Sequence, residues 1–110
     1  MKHSNKIDSI LSIGIPLEDI GVKNWALNKE NALTAIEKLE VEDTPILGGD
    51  VYELVNNKLQ MNYDNWFCDK LANESKSEFL SRSILKAKNY INNHNKVEAQ
   101  IYFVLVPDND

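Results

Sequence analysis

A single cysteine, Cys68, stands among 110 residues, so the chain can form no internal disulfide and no CxxC metal site. Long apolar runs are also absent. The longest is Ile101 to Val106, far short of the roughly 20 residues a membrane span needs, so no membrane association is expected. Met1-Lys2-His3-Ser4-Asn5-Lys6-Ile7-Asp8 leads into no apolar segment with a small-residue cleavage site. With a lone cysteine and no secretory signal, the expected compartment is a reducing cytoplasm. Catalytic signatures are equally thin, with no GxSxG, HExxH, P-loop or GxGxxG. The two histidines are His3, near the terminus, and His94, just past a helix end. There His94 serves more simply as a dipole partner than as a general base. Cys68 has acids on both sides, the reverse of the electropositive surroundings a nucleophilic thiol uses. It reads as a small buried hydrophobe.

What is present describes one soluble domain with room for a single core: 43% hydrophobic, 26% charged, net charge -5. The charge is unevenly spread. Residues 31–75 carry three Lys against nine acids, for -6, while residues 76–96 carry five bases against one Glu, for +4. A chain whose middle is acidic and whose basic stretch is one helix is a poor nucleic-acid binder, because phosphate attraction needs a positive face. It is a better candidate for meeting a basic protein. Asp50, Glu53, Asp64 and Asp69 are numerous enough to suggest a hard cation, but they follow no EF-hand or other ligand spacing. No metal and no cofactor is expected.

Periodicity sets the elements. Ser4 is a candidate N-cap for a helix burying Ile7, Ile10 and Leu11, with Gly14 placed to end it in a left-handed C-cap. Val22 to Leu27 is ambiguous between strand and extended loop. Asn28 caps a second helix that buries Ala32, Leu33, Ile36 and Leu39, and the run Val41 to Pro45 stops it. Asn56-Asn57 suits a type I′ turn between two alternating segments, from about Ile46 to Asp64. That turn sets Leu54 against Leu59, Tyr52 against Met61 and Asp50 against Tyr63 on one side of the ribbon, with Val51 against Asn62 on the other. Gly48-Gly49 marks a bulge or a close backbone approach where the ribbon begins.

A capping box at Ser75 and Glu78 opens a third helix, with Leu80, Ile84, Ala87 and Ile91 inward and Phe79 and Tyr90 flanking. Ala99 to Val106 reads as a central strand buried on both faces. The expected order is α-α-β-β-α-β in a single α+β domain with its core over about residues 7–106. Its mostly antiparallel sheet has the C-terminal strand at the centre, packed by helices.

Two short motifs stand out for recognition. Asp50 lies on the apolar side of the ribbon and must be hydrogen-bonded or sit at the sheet's open end, so it either caps local backbone or contacts a partner. Tyr63-Asp64-Asn65-Trp66-Phe67 is aromatic and acidic at once, a composition that suits either a core or a binding hot spot. The candidate partner-binding set is therefore Glu40, Glu42, Asp43, Asp50, Glu53, Tyr63, Asp64, Trp66 and Asp69.

Gly48-Gly49-Asp50-Val51-Tyr52, followed by Tyr63-Asp64-Asn65-Trp66-Phe67-Cys68-Asp69, a Ser-containing helix ending in Tyr90-Ile91, and a terminal Tyr102-Phe103-Val104-Leu105-Val106, resembles the immunity protein 40 family of bacterial polymorphic toxin systems. The similarity spans about Ile7 to Val106. It implies a small cytoplasmic antidote, encoded beside a toxin and binding the toxic domain to spare the producing cell and its kin. The implied partner is a cognate toxin domain, with a basic nuclease among the toxins an acidic surface would suit, and the free protein is expected to be a monomer. No partner-contacting residue carries over from the resemblance. The alternatives are a ligand-binding or regulatory adaptor domain, and a small enzyme using the acidic end of the ribbon. A cleft lined by Asp50, Tyr52, Tyr63 and His94 would favour the enzyme or the ligand-binding domain.

Overall fold

Helix α1 (Asn5–Leu11) turns Ile7, Ile10 and Leu11 inward, as their spacing requires. It belongs to a computed structural model that describes residues 5–94 and 100–108. Ser4, His3 and Ala99, each given a place by the sequence, lie outside those residues. Gly14 does not adopt the left-handed cap. It sits instead where a Cβ would come within 2.6 Å of the Ala26 carbonyl oxygen and 2.8 Å of a Leu27 methyl, so close approach explains it. The ambiguous Val22–Leu27 segment contains a short strand, β2 (Trp25–Ala26), paired antiparallel with β1 (Ile15–Pro16).

Asn28 accepts a hydrogen bond from the Asn31 N–H at 2.8 Å and starts α2 (Lys29–Val41). Ala35 joins Ala32, Ile36 and Leu39 in its buried stripe. The ribbon follows as β3 (Ile46–Val55) and β4 (Lys58–Phe67). Asn56 and Asn57 take φ of 51° and 65°, the pair of positive values that a type I′ turn demands. Helix α3 (Lys76–Asn93) opens on the full capping box, Ser75 Oγ accepting from Glu78 N–H and Glu78 Oε1 accepting from Ser75 N–H. Ser75→Ala removes half of that exchange and is expected to cost about 1 kcal/mol, read as a lower midpoint in urea with an unchanged slope. Ser83, inside the apolar stripe, is fully buried and solvates the Ile46 N–H at 3.1 Å, so a buried polar group here terminates a strand's donor row.

The class and order of elements are those expected, but the C-terminal strand is not central. The sheet runs β4-β3-β5, with β5 (Gln100–Pro107) on one side and β3 in the middle. The apolar run of β5 is explained differently: one face packs against the helices through Phe103 and Leu105, and the other meets Leu17, Ala26 and Tyr52 through Val104. Leu27 exchanges two backbone hydrogen bonds with Phe103, at 2.7 and 2.8 Å, along the outer side of β5.

The register of the ribbon holds from Val55↔Lys58 through Tyr52↔Met61 and then slips. Asp50 faces Asn65 instead of Tyr63. Asn62, Tyr63 and Asp64 all stand opposite Val51, two residues more than a flat ladder accommodates, so β4 bulges there.

Candidate protein-binding site

The corner where β4 runs beside α3 is built on Trp66. Its indole is only 6% exposed and lies over Gly49, where any Cβ would meet ring atom Cζ3 at 2.5 Å and the Val104 carbonyl oxygen at 2.6 Å. Gly49 thus supplies the close approach that the glycine pair signals. The same indole stacks on Tyr90 with ring centroids 4.5 Å apart. Lys86, Tyr90 and His94, spaced four apart on one flank of α3, follow Phe67, Trp66 and Asp64 in turn. Lys86 Nζ donates to the Phe67 carbonyl oxygen at 2.5 Å, and His94 Nε2 lies 3.4 Å from Asp64 Oδ2. Phe103 meets the His94 ring edge-on at 5.6 Å. Burial, and then the charge of Asp64, pushes the Tyr90 phenol above its ordinary range. Trp66 Nε1, His94 Nδ1 and Asn62 Nδ2 are buried here without a protein hydrogen-bond partner.

Above this support sits the bulge. Asn62 Oδ1 accepts from the Asp64 N–H at 2.9 Å, and Asn65 Nδ2 donates to the Tyr63 carbonyl oxygen at 3.1 Å. Between them Tyr63 is held at φ of 69°. A left-handed backbone costs a non-glycine residue roughly 1–2 kcal/mol, and nothing in the core recovers it, because the Tyr63 side chain is 81% exposed. Phe67, on the same strand, is 66% exposed, with the Lys86 ammonium 5.4 Å from its ring centroid. Met61 and Leu85 are exposed as well.

The nine candidate residues do not form one face. Glu40 and Glu42 lie at the end of α2 and pair with Lys88 at 3.7 Å and Lys6 at 3.2 Å, and Asp43 follows in the loop with φ of 54°. Asp50 and Glu53 are half-buried on β3. Tyr63 and Asp64 share the bulge, and the Asp64 carboxylate is half-exposed. Trp66 is core, the floor of the site and not its surface. Asp69 is exposed beyond β4, its carbonyl oxygen accepting from Arg82 Nη2 at 2.5 Å. The acidic middle of the sequence is thus partly neutralised in space by the basic helix. Phe67 and Met61 were missed by sequence reasoning, although strand alternation offers the signal: with Trp66 inward, Phe67 is directed outward.

Arg82 braces the segment after β4. Its Nε and Nη2 hold Glu74 at 2.6 and 2.8 Å, and Nη1 reaches Cys68 Sγ at 3.2 Å. The guanidinium, helped by the Leu71 N–H, lowers the Glu74 carboxyl to about 2. A carboxylate whose folded-state value lies below its unfolded one contributes stability that is present above about pH 4.5 and lost as pH falls toward 2. Glu74→Gln is therefore expected to lower Tm at pH 7. The gap to wild type should narrow between pH 4.5 and 2, and a gap independent of pH would contradict the pairing.

Among the described residues, the cleft of Asp50, Tyr52, Tyr63 and His94 is not assembled. The groove beside His94, about 550 Å³, is lined by α3 residues including Leu85, Asn89 and Asn93, without Asp50, Tyr52 or Tyr63. Tyr52 is buried on the other side of the sheet, where burial and then Asp50 raise its phenol. Among the described residues no three His, Cys, Asp or Glu side chains gather as a metal site, and no helix is long and apolar enough to cross a membrane. No curated protein matches the chain. The family model described as Immunity protein 40 matches residues 16–107, from β1 through the end of β5 and leaving α1 outside.

Proposed function

The chain belongs to the immunity protein 40 family, and from that premise we propose that it neutralises one cytosol-acting toxin by binding the toxic domain and covering its active site or an adjacent exosite. Membership carries an immunity function and a toxin protein as partner; the mode of inhibition is our reading. One observation supports it most: two large aromatics, Tyr63 and Phe67, stand exposed on a single strand, one of them in a strained backbone. Exposed Tyr and Phe over a rigid buried support are the residues that supply binding energy at protein interfaces.

Inhibition of this kind is stoichiometric and uses no chemistry of the antidote's own. The free protein is a monomer in the cytoplasm, where such a toxin acts. Asp64 and its acidic neighbours on the ribbon speed encounter with a basic surface such as a nuclease cleft. Co-expression with the product of the adjacent gene tests the reading. The neighbour should be lethal alone and harmless in the presence of this chain. A neighbour that is harmless alone, or lethal in both cases, contradicts it.

A further inference from the structure

Four side chains spaced four apart on α3 follow the end of β4. Arg82, Lys86, Tyr90 and His94 meet, in turn, the Asp69 carbonyl oxygen, Phe67, Trp66 and Asp64. Three of them are accounted for by the interior. Arg82 holds the Glu74 side chain, which is 9% exposed, Tyr90 stacks on the core indole, and the His94 side chain is itself 10% exposed. Lys86 is not. It is an exposed residue attached to another exposed residue, and among the described residues no carboxylate pairs with its ammonium.

That ammonium touches Phe67 twice. Nζ donates to the Phe67 carbonyl oxygen at 2.5 Å and stands 5.4 Å from the centroid of the Phe67 ring, so main chain and ring are gripped from one point. Neither contact adds much to the fold. Water solvates an exposed carbonyl oxygen equally well, so a hydrogen bond to it brings little net stability, and an exposed cation–aromatic contact is weak. Holding a lysine in one rotamer also gives up side-chain entropy. What the arrangement does achieve is a fixed direction for an aromatic ring that stands in solvent. A ring already fixed loses less freedom when a partner covers it, which raises affinity without any new contact.

We infer that Lys86 is a positioning residue of the toxin-binding face: it acts through Phe67, holding the ring and the end of β4 in the orientation that the toxin receives. The inference rests on the immunity reading above, in which Tyr63 and Phe67 are the exposed aromatics that meet the toxin. Tyr63 is fixed by the bulge, through the Asn62 and Asn65 side chains. Phe67 is the last residue of β4 and has no such turn around it, so its orientation is set from the helix.

A double-mutant cycle tests the inference on the full chain and the toxin domain encoded beside it, with Kd read by calorimetric titration and Tm by a thermal melt. Lys86→Met keeps the aliphatic stem and removes the ammonium. It should weaken toxin binding about three- to tenfold, the range set by one aromatic side chain left to be ordered on binding, and lower Tm by no more than about 4 °C. Lys86→Arg keeps a cation and a donor within reach of Phe67 and should bind within about twofold of wild type. In a Phe67→Ala background, Lys86→Met should change Kd by less than about twofold, because the ring it holds is gone. A loss of the same size in both backgrounds overturns positioning and makes Lys86 a direct toxin contact. Wild-type affinity in a folded Lys86→Met or Phe67→Ala chain overturns it as well, and a fall in Tm well beyond about 4 °C makes Lys86 a structural residue. Each of these outcomes leaves the immunity reading standing. A wild-type chain that leaves the toxin fully active refutes that reading itself, and the role of Lys86 with it.

Discussion

Trp66→Ala is expected to lower the free energy of unfolding by about 3–5 kcal/mol, a large part of the 5–15 kcal/mol typical of a whole domain. The indole fills the space over Gly49 and against Tyr90, and no neighbour can move in to replace it, because the Gly49 side of that space is backbone. In a domain of this size the loss corresponds to a fall in Tm of roughly 15–25 °C. Trp66→Phe separates packing from polarity. It keeps most of the ring contact and removes an indole N–H that has no partner, so its cost is expected to stay below about 1.5 kcal/mol. If Trp66→Ala left Tm within a few degrees of wild type, Trp66 would not be the support on which the site is built.

Tyr63→Gly is expected to separate binding from stability. The side chain is exposed and the backbone is left-handed, so glycine relieves strain and stability stays level or rises by up to about 1 kcal/mol. Affinity for the toxin should fall by about 2–4 kcal/mol, the range of a hot-spot aromatic, or roughly 30- to 1000-fold in Kd. Calorimetric titration beside a thermal melt reads both quantities on one preparation. A lower Tm with unchanged Kd would make Tyr63 a structural residue and contradict the assignment.

Local rules placed most of the fold. The Asn28 cap, the Ser75–Glu78 box and the Asn56-Asn57 turn each satisfy backbone groups within three residues, and such signals are complete in the sequence. The sheet order was not legible, because hydrophobicity reports burial and not which neighbour provides it. The run Ile101 to Val106 is covered on one side by helices and on the other by the β1–β2 segment, and so reads like a central strand while lying beside one.

The site was half legible. Tyr63 and Trp66 were singled out together, yet one is surface and the other core. A bulge made without glycine, held by the Asn62 and Asn65 side chains, separates their roles. Linear charge misled in the same way: the acidic middle and the basic helix are distant in sequence and adjacent in space, where Glu40 meets Lys88 and Glu74 meets Arg82.

The most direct measurement of the central claim is a titration of the neighbouring toxin's activity at fixed toxin concentration, well above the Kd, with increasing amounts of this protein. Expected is a linear fall that ends at one equivalent and is displaced to higher concentration by Tyr63→Gly. Complete inactivation by a small fraction of an equivalent would mean that the protein acts as a catalyst, and activity undiminished at excess would mean that it does not act on this toxin. Either result contradicts neutralisation by a stoichiometric contact through β4.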